Sequence, residues 1–297
     1  MLSTLPSRID KVQFKGREFY VKRDDLIDTC LSGNKYRKLY TLLKTPSQNY
    51  TKIISYGGGQ SNAMLAIACL CKIKGWEFHY YSKTLPRLLK EGAEGNLERA
   101  LEQGMILHEV EHEMFWTKVE TLQGIKEEKT LIISQGAADE LAQEGLHMLA
   151  EEINTWKREQ DIKNLSVVLP SGTGTTALYL RAAMDETIEL YTSVLVGDMQ
   201  YQRQQWEKLS KGPYPKIFPF DKKRKFAKPY DEYLGVYEEL LQETGISFDL
   251  IYAPLTWIQM YENLADKDGE ILYIHTGGIS GNDTMLERYK YKQSRKR

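Results

Sequence analysis

The sequence is poor in the features that mark specialised chains. It has three cysteines in 297 residues, Cys30, Cys69 and Cys71. An odd number without regular spacing argues against a disulfide framework. Cys69-Leu70-Cys71 lies in an apolar helical stretch, where buried free thiols are expected. No Cys/His cluster lies close in sequence, so no metal site is expected. No apolar run reaches the ~18 residues of a membrane span. The segment Met1-Leu2-Ser3-Thr4-Leu5-Pro6 lacks the basic flank and apolar run of a secretory signal, and a cytoplasmic location is expected. A dominant charge is missing too: Lys plus Arg is 40, Asp plus Glu is 41, and the net charge is −1. That argues against a nucleic-acid footprint over the whole chain. A bound anion must then be held by local dipoles rather than by a global basic field. Two basic segments stand out, Lys222–Lys225 and the tail from Arg288 to Arg297. They read as a solvated loop and a frayed terminus.

What is present is the pattern of an α/β protein. Hydrophobic residues make up 41% and charged residues 27%, as in globular chains. The length suits one large or two modest domains. Short apolar runs predict strands over 19–22, 53–56, 78–81, 106–108, 131–134, 167–169, 193–196 and 271–274. Between them, amphipathic periodicity predicts helices over 61–74, 95–103, 146–158, 175–184, 199–209, 231–243 and 256–264. Such alternation means βαβ units and mainly parallel sheets.

Three segments carry chemistry. The first is Ser32-Gly33-Asn34-Lys35-Tyr36-Arg37-Lys38-Leu39, where Ser32 or Asn34 can cap a helix that buries Leu39, Leu42 and Leu43. Near a helix N-terminus and partly buried, the Lys35 ammonium is disfavoured. A free amine there suits Schiff-base chemistry. The second is Gly57-Gly58-Gly59-Gln60-Ser61-Asn62, between a strand and a helix. Its backbone N–H groups and the helix N-terminus form an anion site fitted to a substrate carboxylate, with Gln60, Ser61 and Asn62 adding polar side chains. Read structurally, the same loop is an ordinary βα turn with Ser61 as N-cap. The third is Ser171-Gly172-Thr173-Gly174-Thr175-Thr176, which has the small residues and hydroxyls of a phosphate cup but no P-loop lysine. Gly172-x-Gly174-x-x-Ala177 also fits a dinucleotide fingerprint, with Asp198 placed as a ribose acid. That reading leaves Lys35 and the Gln60–Asn62 loop without a role. A reading with pyridoxal 5′-phosphate uses all three segments.

Taken in order, these pieces resemble the D-cysteine desulfhydrase and 1-aminocyclopropane-1-carboxylate (ACC) deaminase family. The resemblance runs from about Leu5 to Gly278. It rests on Lys22-Arg23-Asp24-Asp25 with Ser32–Leu39 and on Gly58–Asn62. Further support comes from Gly95-Asn96, the Gly172–Thr176 loop, Glu243–Ile246 with Asp249-x-x-Tyr252, and His275-Thr276-Gly277-Gly278. It implies a tryptophan-synthase-β-like fold of two domains, each a mostly parallel sheet flanked by helices. The smaller domain would span 45–136, and the larger 1–44 with 137–297. It implies pyridoxal 5′-phosphate on Lys35, with Asn62 at the ring 3′-oxygen and Gly172, Thr173, Gly174 and Thr175 at the phosphate. Thr276 would face the pyridine nitrogen, and Ser61 and Tyr252 would join Lys35 in catalysis. A homodimer is implied as well.

The implied activity is β-elimination from a small amino acid. D-Cysteine would give pyruvate, ammonia and hydrogen sulfide. The alternatives are ACC ring opening, a cofactor-binding protein with little turnover, and a dinucleotide-dependent oxidoreductase. The sequence departs from the family at two places. Ala253 stands where ACC deaminases carry a glutamate after the tyrosine. Phe226 stands at the best match to a second tyrosine. His275 reads as a satisfied structural histidine, and Asp24 and Asp25 as loop hydrogen-bond acceptors.

Overall fold

The computed structural model describes residues 5–87, 95–219 and 224–295. Among them, in chain order, come β1 (Ile9–Phe14), β2 (Arg17–Lys22), α1 (Asn34–Lys44), β3 (Lys52–Gly57), α2 (Asn62–Lys74), β4 (Glu77–Lys83), α3 (Asn96–Glu102), β5 (Met105–Val110), α4 (Phe115–Gln123) and β6 (Thr130–Ile133). There follow α5 (Gln143–Glu159), β7 (Leu165–Ser171), α6 (Thr175–Ala183), β8 (Ile188–Val194), α7 (Met199–Leu209), β9 (Lys216–Ile217), α8 (Asp231–Thr244), α9 (Ala253–Leu264), β10 (Glu270–Ile274) and α10 (Asn282–Ser294).

The strands form two sheets. One has the order β1-β2-β10-β7-β8-β9, the other β5-β4-β3-β6. Among the described residues only the β1–β2 pair is antiparallel, and the other pairings are parallel. The fold is therefore the two-domain α/β arrangement that the resemblance implied. Parallel strands need cover on both faces, which explains why β7 (Leu-Ser-Val-Val-Leu-Pro-Ser) is buried along its whole length. Successive side chains of a strand point to opposite faces. Val167 and Leu169 accordingly pack with Leu146, Leu149 and Ile153 of α5, while Val168 packs with Trp257 and Met260 of α9. Each such fully buried side chain contributes roughly 1.5–3 kcal/mol. A separate core beneath the four-stranded sheet joins Ile53 and Phe78 to Met64, Ile67 and Leu70 of α2.

Several expectations need correction. The strand expected over 193–196 lies upstream, at Ile188–Val194, because register with β7 pairs Ile188 with Leu165. The C-terminal tail is not frayed from Arg288: α10 runs to Ser294 and buries Met285 and Tyr289. Neither Ser32 nor Asn34 caps α1; the cap position is Gly33, with φ 63° and no side-chain cap bond. Cys69 is not a free thiol but is bonded to Cys30, with the Cα atoms 6.2 Å apart. The loop before α1 folds back over α2 into their shared core, which brings together two cysteines 39 residues apart. Cys71 is free and buried, and burial pushes its thiol well above the usual range. Lys222 and Lys223 lie outside the described residues, while Arg224 pairs with Glu232. No helix among the described residues is long and apolar enough to cross a membrane.

Candidate active site

The three chemistry-bearing loops all leave the carboxyl ends of parallel strands, where α/β folds place ligands. β2 leads to the Lys35 segment, β3 to Gln60–Asn62, and β7 to Gly172–Thr175. A fourth loop, Thr276-Gly277-Gly278, leaves β10 between β2 and β7.

Lys35 sits in the first turn of α1, and its Nζ donates to Asn34 Oδ1 at 2.8 Å. The Asn34 amide nitrogen donates in turn to Thr176 Oγ1 at 3.0 Å, on the first turn of α6. One side chain thus ties the amine to the helix that follows the glycine loop. Burial lowers the Lys35 amine to about 8, against the opposing pull of the Asp249 carboxylate. Asp249 is itself buried, and its Oδ1 accepts the Tyr252 N–H at 2.6 Å. Burial raises the Asp249 carboxyl above its usual value.

The segments are locked by close backbone approach. A Cβ built on Gly33 would lie 1.9 Å from the Thr276 carbonyl oxygen, the same oxygen that accepts the Asn34 N–H at 3.1 Å. Only glycine, free of a side chain and tolerant of positive φ, fits there. The Gly172–Thr175 loop is braced from behind. Gln202 Nε2 donates to the Thr173 carbonyl at 3.1 Å, and Trp206 Nε1 to the Gly174 carbonyl at 3.0 Å. With the carbonyls taken up behind, the cup is left with its N–H groups, the Thr173 and Thr175 hydroxyls 3.1 Å apart, and the α6 dipole. All three suit an anion. Tyr252 lies across this loop, its hydroxyl 3.5 Å from a Cβ built on Gly172. Burial pushes that hydroxyl well above its usual range, and Phe226 lies against its ring at 5.5 Å.

On the other side, Ser61 Oγ accepts the Met64 N–H at 3.3 Å, capping α2. Asn62 Nδ2 lies where a Cβ on Gly278 would come within 2.6 Å of it. Lys35, Asn62, Tyr252, Thr276 and the Gly172 loop are therefore linked through direct neighbours. The residues read as structural have partners within the fold. His275 accepts the Gly277 N–H on Nδ1 and meets the Ser247 carbonyl through Nε2. Asp24 is taken up by Arg37, and Asp25 by Arg23. Asp198 accepts the Tyr201 N–H at 2.8 Å as cap of α7, so the acid assigned to a ribose has a structural use. Ala253 is fully buried at the start of α9.

Sequence reading missed three contributors. Lys38, one turn beyond Lys35, is buried and donates to the Gly136 carbonyl at 3.0 Å. Gly136 abuts Thr173, whose methyl would lie 3.0 Å from a Cβ there. Burial and the nearby Lys35 charge hold Lys38 well below its usual value, and an anion held in the adjacent glycine loop would favour its charged form. The i, i+3 spacing of the lysines was the available signal. Tyr80, buried beneath the second loop, donates to the Gly58 carbonyl at 3.1 Å. Asn96 bonds to both Gln60 and Asn62. Neither Tyr80 nor Asn96 had a local signal of its role.

The residues present fit pyridoxal 5′-phosphate. The fit rests on a half-buried amine of lowered basicity, a braced glycine cup at a helix N-terminus, and a buried Gln60 Nε2 with no protein acceptor among the described residues.

No family model matches the chain. Curated relatives do. The D-cysteine desulfhydrase of Serratia proteamaculans is 26% identical over 89% of this chain and 88% of its own length. The bifunctional D-cysteine desulfhydrase/1-aminocyclopropane-1-carboxylate deaminase, mitochondrial, of Arabidopsis thaliana is 25% identical over 90% of this chain and 73% of its own. Among solved structures, an ACC deaminase homologue superposes with a TM-score of 0.76 at 22% identity, covering 97% of this chain and 95% of that one. A hydrogen sulfide-producing enzyme from Fusobacterium nucleatum superposes with a TM-score of 0.67 at 14% identity, covering 95% of each.

Proposed function

We propose that this chain, a relative of the D-cysteine desulfhydrases and ACC deaminases, is a pyridoxal 5′-phosphate-dependent lyase that cleaves a small amino acid, with D-cysteine the leading substrate. The observation that carries the reading is the Lys35–Asn34–Thr176 relay, which joins an amine lowered to about 8 to the glycine cup.

In this reading Lys35 anchors the cofactor, and Gly172, Thr173, Gly174 and Thr175 hold its phosphate with Lys38 close behind. Asn62 meets the ring oxygen and Thr276 the ring nitrogen. A neutral hydroxyl at that nitrogen, in place of a carboxylate, does not enforce ring protonation, and Ala253 cannot supply the missing acid. That favours elimination over ACC ring opening. Bound there, pyridoxal 5′-phosphate supplies an electron sink for the charge left when the α-proton is removed, so that a β-thiol can leave.

The chain's own groups do the rest. Gln60, Ser61 and Asn62 take the substrate carboxylate at the α2 N-terminus and orient the α-carbon. Lys35, half-buried, takes the α-proton at Nζ as general base. Its depressed basicity keeps a useful fraction unprotonated near neutral pH. Ser61 assists that transfer, and Tyr252 lies between the cup and the substrate side. A smaller domain over 45–136, homodimerisation and a cytoplasmic location complete the reading.

The test combines spectrum and chemistry. Purified protein should show a cofactor absorbance band, and borohydride should fix a pyridoxyl mass on Lys35. D-Cysteine should release hydrogen sulfide, and Lys35→Ala should abolish both. A protein that retains either after Lys35→Ala refutes the assignment. A labelled Lys35 without release of ammonia or keto acid from any D- or L-amino acid would leave a binding protein instead.

A further inference from the structure

Asn96 opens α3, is fully shielded from solvent, and bonds to the Gln60 and Asn62 side chains of the second loop. Its own N–H donates to Gln60 Oε1 at 2.8 Å, and its Nδ2 donates to the Gln60 carbonyl at 3.1 Å. Both bonds involve a backbone group, and backbone polarity is fixed: an N–H only donates and a carbonyl only accepts. The Asn96 amide nitrogen must therefore face the Gln60 carbonyl. Its oxygen then faces the other way, where Ser280 Oγ donates at 2.7 Å.

The orientation propagates. The same Nδ2 donates to Asn62 Oδ1 at 2.6 Å. A half-turn of the Asn62 amide would set nitrogen against nitrogen, so Asn62 is held with its oxygen toward Asn96. Its Nδ2 then points to the Thr276–Gly278 turn, where the absence of a Gly278 side chain leaves it room. Gln60 is fixed in the same way. Because the Asn96 N–H claims Oε1, the buried Nε2 is left as a donor without a protein acceptor among the described residues.

We propose that Asn96 is a positioning residue that sets the polarity of Asn62 and Gln60, so that both turn N–H groups, and not carbonyls, toward the cofactor ring oxygen and the substrate carboxylate. This rests on the reading of the site given above. Oxyanions need donors, and an Asn or Gln amide offers a donor or an acceptor according to which way it is turned. Asn96 touches neither ligand and acts through the two amides. Its bond from Ser280 also ties that polarity to the turn following β10, across from the four-stranded sheet.

Asn96→Asp tests this, because it keeps size and shape but exchanges the donor for an acceptor. Asn62 would then rotate to donate to Asp and would present its oxygen to the site. Two quantities should be read: the affinity of the cofactor-free protein for pyridoxal 5′-phosphate, by fluorescence titration, and the pH midpoint of the bound cofactor's absorbance. Affinity should fall about tenfold, the worth of one misdirected hydrogen bond, and the midpoint should move to higher pH. Asn62→Asp should move both in the same directions. Asn96→Ala, with no buried charge, covers the case in which Asn96→Asp fails to fold; it should move both the same way by less. Native values in the Asn96 variants beside shifted values in Asn62→Asp overturn the polarity assignment alone. Native values in Asn62→Asp overturn the cofactor reading of the site together with it.

Discussion

The two sides of the site are built to different tolerances. On the side of the six-stranded sheet, two glycines have no room for a side chain. A Cβ on Gly33 would strike the Thr276 carbonyl at 1.9 Å, and one on Gly174 would strike Gln202 Nε2 at 1.8 Å. On the side of the four-stranded sheet, Gly58 has nothing within 4 Å of a built Cβ, and Gly59 meets only the Leu85 side chain. At Gly33 and Gly174 the side proposed to anchor the cofactor is packed without slack. The side proposed to take the substrate carboxylate keeps open space at Gly58 and borders flexible side-chain ends at Gly57 and Gly59. A group that stays bound through every turnover benefits from rigid complementarity, while a substrate that comes and goes needs an entrance.

Three measurements can break or sharpen that contrast. The largest effect is expected from Gly33→Ala, which adds a clash with backbone at positive φ; it should cost roughly 3 kcal/mol of stability in denaturant unfolding. A cost under a third of that would mean the anchor side can yield. Next is the amine. Cofactor-free protein should capture added pyridoxal 5′-phosphate about tenfold faster per pH unit below about 8, then level off, as the free-amine fraction of Lys35 saturates. A flat profile would place the amine in water. The sign for stability follows from linkage. The folded value lies below the ordinary 10.5, so between about 8 and 10.5 the unfolded chain holds the proton more tightly. The cost of burying Lys35 is thus full below pH 8 and fades as pH rises. The smallest effect is expected from Gly58→Ala, within about 0.5 kcal/mol in the same unfolding experiment, as for a substitution that meets no neighbour. A large loss there would show that the substrate side is as tight as the other.

The glycine-rich turns were legible because each announces itself locally: a strand, small residues, then a helix. Their meeting was legible only through the resemblance, since nothing in the sequence brings Thr276 to Gly33. What escaped was carried by lone polar residues or by diluted patterns. The helix Asn282–Ser294 is dense in charge and buries little beyond Met285 and Tyr289, so its apolar stripe was too thin to register. The strand Ile9–Phe14 mixes Asp, Lys and Gln with its apolar residues, because it pairs at the sheet edge and is only partly buried. Asn96 stands in the Gly95-Asn96 pair that supports the resemblance, but its role shows only once Gln60 and Asn62 are placed around it.

The pairing of β2 with β10 has a consequence for how the molecule comes into being. The strand that delivers the anchoring lysine is synthesised well before the strand it must lie against. The four-stranded sheet is contiguous in sequence and can assemble while the chain is still emerging. The cleft lined by Lys35 and Thr276 cannot close until β10 has been made, so a long-range closure late in folding is expected to set its pace. A nascent or truncated chain would present a reactive lysine without the cup to pair it with.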